Sequence, residues 1–250
     1  MPKRLKDKHT KILTIIIVTY NSEKYIKRCL ESLKQYKKDM TKDIMIVDNN
    51  SSDNTLKIAK IFNINIIKNK QNLGYAKAAN IGIKKAGSRY ILLINPDIYF
   101  EKDTIKDMLD FMKNNQDCDI QGPKLFDENK NLIFSCKRFP TIKAILGRRL
   151  KSSKIFKQDV KRYLMKDYNH KKPRKVDWVS GGCMMFKKNF SFDNRYFLYF
   201  EDVDFCHGKN VYYNPKAIAH HTVQRESSKN IRFLYYHTIS FVKYKIKYLF

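Results

Sequence analysis

Cysteine is scarce in this sequence and widely scattered. The 250 residues include five cysteines, with no C-x-x-C pair and no metal-type cluster with histidine. This spacing excludes a disulfide framework and a structural zinc site, and it is typical of a reducing compartment. We therefore expect a cytoplasmic protein.

Long apolar runs are missing as well. Near the C-terminus the longest stretch without Lys, Arg, Asp or Glu covers residues 233–242, about half of what a membrane-spanning helix requires. The apolar run at residues 12–18 is too short for a secretory signal and lacks a small-residue cleavage site. The sequence predicts a protein that does not cross a membrane, while contact with a membrane surface stays open.

Common nucleotide-binding and hydrolase motifs are absent. No G-x-x-x-x-G-K-[ST] loop occurs, and no G-x-G-x-x-G follows the first predicted strand, which argues against kinases, ATPases and dehydrogenases. The G-x-S-x-G turn of hydrolases is also missing. RNP, KH, helix-turn-helix and zinc-finger patterns are absent too, which argues against a nucleic-acid-binding protein.

Acidic residues are few compared with basic ones. Lys and Arg number 51 and Asp and Glu 24, which gives a formal net charge of +27. Such a surplus favours an anionic partner, although a coding sequence rich in A and T would also raise the lysine count. Residues 137–175 hold fifteen Lys or Arg against two acids. We expect this segment to leave the sheet, as a solvated basic face or as a surface towards an acceptor or a membrane.

Short β-branched runs alternate with amphipathic segments over residues 12–115. The predicted strands are residues 12–18, 44–47, 64–68 and 90–95, and the predicted helices are residues 22–36, 53–62, 75–86 and 102–115. This order predicts an α/β fold with a mostly parallel sheet and helices on both faces. Later strands are predicted at residues 177–186 and 211–215. Ligands of such sheets bind beyond the carboxyl ends of the strands.

Polar loops follow these predicted strands. Amide and acidic side chains that could face a nucleotide occur in TYNS (19–22), DNNSSDNT (48–55), NKQNLGYAKAAN (69–80) and NPDIYF (95–100). Turn formation and helix capping explain any one of them equally well, as for Ser22 and Asp53.

Carboxylates at the mouth of the sheet favour a hard cation. Asp97 directly follows a buried strand, and Glu201, Asp202 and Asp204 lie in one later segment. Mg²⁺ or Mn²⁺ prefers oxygen ligands and bridges diphosphate oxygens. A histidine of the pair at residues 220–221 could add a nitrogen ligand, or the pair could be structural. The later acids could also complement a helix dipole.

Seven segments in order resemble inverting glycosyltransferase family 2. They are VTYNS (18–22), VDNNSSDNT (47–55), NLGYAKAANIG (72–82), LINPD (93–97), VDWVSGGCMMFKK (176–188), FLYFEDVDFC (197–206) and HH (220–221). The series is most similar to the rhamnosyltransferase-like branch that builds bacterial surface polysaccharides. The resemblance implies a GT-A fold with a Rossmann-like, mostly parallel sheet, and a single domain with a C-terminal helical extension. The implied divisions are a nucleotide-sugar-binding half (12–115) and an acceptor and catalytic half (116–230) of a domain at residues 1–230, then an amphipathic helix at residues 231–250.

The resemblance also implies substrates and a donor site. The donor would be a UDP- or dTDP-sugar, with rhamnose as one candidate sugar, and the acceptor would be a glycan or a lipid-linked glycan, with no nucleic acid as partner. The implied donor-binding residues are Thr19, Tyr20, Asn21, Asp48, Asn49, Asn72, Gly74, Asn80, Asn95, Asp97, Trp178 and Gly181. Among them, the Asp48 carboxylate would accept a hydrogen bond from a pyrimidine NH.

Metal and base positions follow from the same resemblance. Asp97 would fill the metal position of the family's DxD element and bind Mg²⁺ or Mn²⁺, with His220 as the favoured nitrogen ligand. Asn95 stands where the commoner pattern has Asp, so one anionic ligand is lost. Asp202 would be the general base, with Glu201 as the alternative, in a reaction that inverts the sugar without a covalent intermediate.

The C-terminal segment and two other functions complete the expectations. A helix over residues 231–250 would carry Arg232, Tyr236, Ser240, Lys243 and Lys247 on one stripe. It would either pack on its own domain or lie at a membrane interface, and with residues 137–175 it suggests peripheral contact with anionic lipid at the inner membrane face. A non-catalytic glycan-binding relative and a basic nucleic-acid-binding protein are the alternative functions.

Overall fold

A computed structural model of the chain describes residues 11–37, 42–150, 154–222 and 231–249. The strands are β1 (Leu13–Thr19), β2 (Lys42–Asp48), β3 (Asn65–Lys68), β4 (Tyr90–Ile94), β5 (Ile98–Phe100), β6 (Ile120–Phe126), β7 (Leu132–Ile133), β8 (Cys136–Lys137), β9 (Arg174–Val176), β10 (Trp178–Val179), β11 (Cys183–Lys187) and β12 (Val211–His221). The helices are α1 (Glu23–Lys37), α2 (Thr55–Ile61), α3 (Tyr75–Lys85), α4 (Thr104–Asn114), α5 (Ile142–Arg149), α6 (Lys157–Tyr163), α7 (Glu201–Cys206) and α8 (Ile231–Leu249). Residues 1–10, residues 151–153 of the basic segment and Phe250 of the C-terminal segment lie outside the described residues.

The main sheet confirms the predicted α/β class. Its strand order is β3-β2-β1-β4-β11-β6-β12-β5, and β1 to β4 pair in parallel. Alternate residues of β1 point to opposite faces, so Ile16 packs in one core and Ile17 in the other. Because both faces are covered, β1 and β4 are continuous buried apolar runs. Helix α3 covers one face, and α1, α2 and α4 cover the other.

The predicted strand at residues 177–186 is two strands. β10 pairs with β8 in a separate two-stranded sheet, whereas β11 enters the main sheet antiparallel to β4. The break falls at Ser180–Gly182, where the chain turns from one sheet to the other. Further along, the segment 211–221 is one strand with a register shift between Asn214 and Ile218. Pro215 lies at this shift, since it has no NH to donate to a ladder.

The basic segment at residues 137–175 contains two short helices, α5 and α6, between β8 and β9. Helix α5 begins after Thr141, whose hydroxyl oxygen accepts from Ala144 N at 3.1 Å. Each helix here has only two turns, and α5 buries just Ala144 and Ile145. So few apolar positions leave almost no period to detect.

Helix α8 packs on its own domain through its polar stripe and through Tyr244, which is buried in the core. Ser240 is buried, and its hydroxyl donates to Leu198 O at 2.8 Å. The Lys247 ammonium donates to Asp204 Oδ1 at 2.7 Å. In the described part of the chain, no helix is long and apolar enough to cross a membrane.

Candidate active site

The turn at residues 180–182 brings two distant segments together. Because Cys183 pairs with Ile94 across β11 and β4, the turn lies beside the loop that follows β4. Asn95 N donates to Gly182 O at 2.9 Å, and a Cβ on Gly182 would come within 3.6 Å of Asn95 Nδ2. The loop containing Asp97 is therefore fixed against this turn.

Asp97 lies in this loop with its side chain 12% exposed. Its Oδ2 is 3.1 Å from His221 Nε2, and its backbone oxygen accepts from Thr222 N at 3.0 Å. Its Oδ1 is buried without a hydrogen-bond partner among the described residues. A buried carboxylate oxygen left unsatisfied in this way is available to a ligand.

The histidine beside Asp97 is His221, which corrects the expectation for His220. His220 Nε2 lies 2.8 Å from Glu101 Oε1, and its ring stacks on Tyr99 at 4.7 Å between centroids. The reason is the strand, because consecutive residues of β12 point to opposite faces. A cation at Asp97 would therefore have His221 as its neighbour. Within the described ranges, no group of three or more His, Cys, Asp or Glu side chains forms a metal site.

Asp202 lies on the other side of the same turn. Gly181 N donates to its Oδ2 at 2.9 Å, and Val203 N donates to its Oδ1 at 2.9 Å. A Cβ on Gly181 would come within 3.1 Å of Asp202 Cβ, a tight contact that favours a glycine here. Burial raises the pKa of Asp202, and the two NH groups and the Lys137 charge oppose the rise. The predicted metal and base positions thus lie on either side of one short turn.

Glu201 is a second buried acid at the start of α7. It is 7% exposed, and its Oε2 has no hydrogen-bond partner in the described residues. Burial raises its pKa, and the negative charge of Asp202 raises it further. Phe200 before it has a φ of 64°, a left-handed conformation that is costly for an aromatic residue. The chain holds this strained turn at the point where it presents both acids.

Tyr75 lies beside the same turn, near the acids. Its hydroxyl donates to Gly181 O at 2.9 Å. Burial raises the pKa of Tyr75 well above its usual value, and the charges of Glu201, Asp202 and Asp97 add to the rise. All three acids therefore lie near Tyr75. Sequence analysis missed Tyr75, although it is the first residue of a predicted helix that follows a strand-end loop.

A lysine, Lys137, is a charged neighbour of Asp202. Lys137 lies opposite Trp178 in the β8–β10 pair, with its ammonium 4.1 Å from the ring centroid. The pKa of Lys137 is lowered to about 8, chiefly by burial and also by the Arg148 charge, while the Asp202 charge opposes the shift. The Trp178 indole NH donates to Arg138 O at 2.7 Å, which fixes the ring. No motif marked Lys137, whose only signal was its place in the basic segment.

Among the predicted donor-binding residues, Asp48 organises the loops that follow β1 and β2. It is fully buried, and its carboxylate accepts from the Thr19 hydroxyl at 2.8 Å and from Ser51 N at 2.9 Å. Tyr20 beside it is 52% exposed, whereas Asn21 Oδ1 accepts from Ser52 N at 2.9 Å. Asp48 thus shapes the loop that presents the Tyr20 ring.

Amide side chains join the next two loops. Asn49 Nδ2 donates to Gly74 O at 3.1 Å, and its Oδ1 accepts from Asn69 Nδ2 at 2.9 Å. Asn72 Oδ1 accepts from Gly74 N at 2.9 Å. Gly74 has a φ of 82°, and a Cβ there would lie 2.5 Å from Phe197 O. These residues fix the start of α3 against the segment that precedes α7.

Two of the predicted polar residues fasten segments of the fold together. Asn80 donates to Phe192 O and accepts from Phe192 N, both at 2.8 Å, so its amide holds α3 to the chain after β11. Asp53 Oδ1 accepts from Thr55 N at 3.0 Å, and its Oδ2 accepts from Glu23 N at 3.0 Å. The N-cap position of α2 is Asn54, so Asp53 stabilises the turn before the helix and the start of α1 instead of occupying the cap. The Asn80 amide is turned to the scaffold.

Comparison with known proteins supports the resemblance. The model of "Glycosyl transferase family 2" matches residues 14–197, a range that ends before α7. The N-acetylglucosaminyl-diphospho-decaprenol L-rhamnosyltransferase of Mycobacterium tuberculosis is 25% identical over 85% of this chain and 76% of its own length. Rhamnosyltransferase WbbL of Escherichia coli is 27% identical over 85% of this chain and 84% of its own length.

A solved structure has the same fold. The structure of Staphylococcus aureus TarS 1-349 in complex with UDP-GlcNAc matches with a TM-score of 0.60 and 19% identity. The match covers 86% of this chain and 59% of that chain. The fold is therefore the one that TarS has, and the sequence match extends over most of it. From these two findings together we conclude that the chain belongs to glycosyl transferase family 2.

Proposed function

We propose that this glycosyltransferase moves a sugar from a UDP- or dTDP-sugar to a hydroxyl of a glycan or lipid-linked acceptor, with inversion, in surface polysaccharide synthesis. The observation that carries this proposal is the position of Asp97 and Asp202 on either side of the turn at residues 180–182. Rhamnose is the sugar we favour, because both rhamnosyltransferases match most of this chain.

Asp202 is the proposed general base. Its two backbone NH partners favour the charged carboxylate, and each oxygen keeps a lone pair for a further bond. The carboxylate takes the proton of the acceptor hydroxyl while that oxygen bonds to the anomeric carbon. The bond from this carbon to the diphosphate oxygen breaks on the opposite face, so the configuration inverts. General base catalysis of this kind contributes about 10²- to 10⁴-fold.

Asp97 and His221 are the proposed protein ligands of Mg²⁺ or Mn²⁺. The buried, unpartnered Oδ1 of Asp97 and the adjacent imidazole fit a divalent cation. Two protein donors are few, so diphosphate oxygens of the donor substrate would supply further ligands. When bound, such an ion would stabilise negative charge on the leaving diphosphate. Asn95 in place of an acid leaves the site with one anionic ligand fewer.

We propose that the enzyme acts at the inner face of the cytoplasmic membrane. The name of the mycobacterial relative specifies an acceptor on diphospho-decaprenol. A polyprenyl chain of that kind stays in the bilayer, so an enzyme that uses such an acceptor must reach the membrane surface.

Nucleotide release tests this function directly. The full-length protein would be incubated with UDP- and dTDP-sugars, a lipid-linked acceptor and Mg²⁺ or Mn²⁺. We expect nucleotide release with one donor. The rate of release should fall by about 10²-fold or more in Asp97→Ala and in Asp202→Asn. Asp110→Asn is the matched control, because Asp110 lies on α4 in an exposed pair with Lys106. No release with any donor would favour the non-catalytic glycan-binding alternative, and equal release by all variants would refute the assigned roles.

A further inference from the structure

The exposed apolar side chains of the protein are concentrated on one surface. Of the eleven large hydrophobic side chains that are exposed among the described residues, nine belong to α5, the turn after it and α8. We call this surface the α5/α8 face. It consists of Ile142, Leu146, Leu150, Ile155, Ile231, Leu234, Tyr235, Val242 and Ile246. A contiguous apolar surface of this kind marks an interaction site.

Helix α8 has its apolar stripe facing outwards. Ile231, Tyr235, Val242 and Ile246 follow the spacing i, i+4, i+11, i+15, which places them on one side of the helix. Ile231 is 84% and Ile246 61% exposed. The polar stripe through Ser240 faces the domain instead, as its hydrogen bond shows. Tyr244 of α8 is buried in the core, so the exposed stripe is a second apolar side of the helix, where a surface helix is usually polar.

Helix α5 repeats the pattern beside α8. Ile142, Leu146 and Leu150 follow at four-residue intervals, and all three are exposed. Arg149 joins the two helices, because its Nη2 donates to Thr238 Oγ1 at 3.1 Å. Thr238 lies on the outward side of α8, between Tyr235 and Val242. The two apolar stripes therefore lie side by side on one surface.

The charge of this surface selects the kind of partner. Helix α5 carries Lys143, Arg148 and Arg149, and neither helix contains an Asp or Glu. On α8, Lys245 lies beside the apolar stripe, whereas Lys243 and Lys247 belong to the polar stripe and donate to Arg195 O and Asp204 Oδ1. A second copy docked face to face would bring these cations together. Apolar side chains flanked by cations fit an anionic bilayer, where the former enter the acyl boundary and the latter meet the headgroups.

We propose that the α5/α8 face lies on an anionic lipid surface and holds the enzyme there. This extends the proposed function and rests on it for the lipid-linked acceptor. Lys247 of α8 is bound to Asp204 of α7, two residues from the proposed base. Docking would therefore keep the cleft beside the bilayer, where such an acceptor is presented.

Vesicle flotation of the full-length protein tests the proposal. We expect binding to phosphatidylcholine vesicles that contain about one-third phosphatidylglycerol, little binding to phosphatidylcholine alone, and release at high salt. The triple variant Ile155→Ser/Ile231→Ser/Ile246→Ser should bind about tenfold more weakly or worse. Its control is Ile61→Ser, which removes an isoleucine on α2 that is 79% exposed.

A charge variant keeps the test decisive if the apolar variant folds poorly. Lys143→Gln/Lys245→Gln should weaken binding to the anionic vesicles, whereas Lys57→Gln/Lys60→Gln on α2 should leave it unchanged. The proposal would be overturned if the triple apolar variant and the double lysine variant both bound anionic vesicles as tightly as wild type. It would also be overturned if wild type formed dimers in solution and the triple variant did not. Donor turnover with a soluble acceptor is measured separately. If the variants lose vesicle binding but keep donor turnover, the docking surface is supported. If neither wild type nor any variant turns over a donor, the proposed function is refuted while the docking surface is not.

Discussion

Asp202 combines burial, which disfavours its charge, with groups that stabilise it. Gly181 N and Val203 N each donate to one of its oxygens, and the Lys137 charge lowers its pKa. A base must be deprotonated to act, so these groups extend its working range towards lower pH.

Removing the lysine should therefore move the pH profile. In Lys137→Met the pKa of Asp202 rises, because a cation that favours the carboxylate is lost. We expect the acidic limb of the kcat/KM profile to shift to higher pH, with activity recovered once the base ionises. Lys166→Met, in the same basic segment, is the control. A profile identical to that of wild type would show that Lys137 does not act on the base.

Glu201 gives a prediction about stability. Its pKa is raised in the folded protein, chiefly by burial. The stability that a carboxyl of this kind contributes is present at low pH and is lost as pH rises through the folded pKa. The side chain at position 201 in the Glu201→Gln variant cannot ionise. Between about pH 5 and about pH 9, the Tm of this variant should therefore fall less with rising pH than the Tm of wild type. Thermal melts compare the two with Glu31→Gln, an exposed site on α1, and parallel curves for Glu201→Gln and wild type would refute the assignment.

At the residue scale, position along the chain was easier to predict than orientation. Asp97 and Asp202 were predicted as a pair, and the structure places them around one turn. His220 was expected beside Asp97, but the side-chain alternation of β12 puts His221 there. The sequence could not decide between them, because the register of β12 depends on its pairing with β5 and β6.

At the scale of elements, the contact between α7 and α8 holds the proposed base in place. Asp204 is 6% exposed and accepts from Lys247 Nζ at 2.7 Å, from Tyr248 OH at 3.0 Å and from Tyr196 OH at 3.2 Å. Since Asp204 and Asp202 share the short helix α7, the loss of a contact to Asp204 should also disturb the position of Asp202.

Lys247→Met leaves the Asp204 carboxylate with one partner fewer. We expect a loss of about 1–3 kcal/mol in the free energy of unfolding, together with a lower kcat. Chemical denaturation measures the first and donor turnover the second. Lys245→Met, on the same helix and without a carboxylate partner among the residues that the structure describes, should change neither. Full stability in Lys247→Met would mean that the ion pair does not fasten α7.

Elements with a strong local period were predictable, and elements set by long-range pairing were not. Strands β1 and β4 are continuous buried runs, and α4 buries one side at helical spacing, so the order of these first units could be predicted directly from the sequence. The break between β10 and β11 depends on pairing with two different sheets. For α8 the polar stripe was predicted, but its direction depends on Asp204, a partner more than forty residues away.

At the scale of the whole molecule, charge and shape act together. Lys and Arg number 51 against 24 Asp and Glu, yet Asp97, Glu201 and Asp202 all lie near Tyr75 beside the turn at residues 180–182. In the proposed function an anionic donor would meet these acids, which is why a divalent cation at Asp97 is central to the proposal.

A crystal structure with a bound UDP- or dTDP-sugar and Mn²⁺ tests this account most directly. The account predicts Mn²⁺ between Asp97 and the diphosphate, and the anomeric carbon facing the Asp202 carboxylate from the side opposite the leaving oxygen. A donor bound away from the turn at residues 180–182, or Asp202 turned from the anomeric carbon, would contradict it.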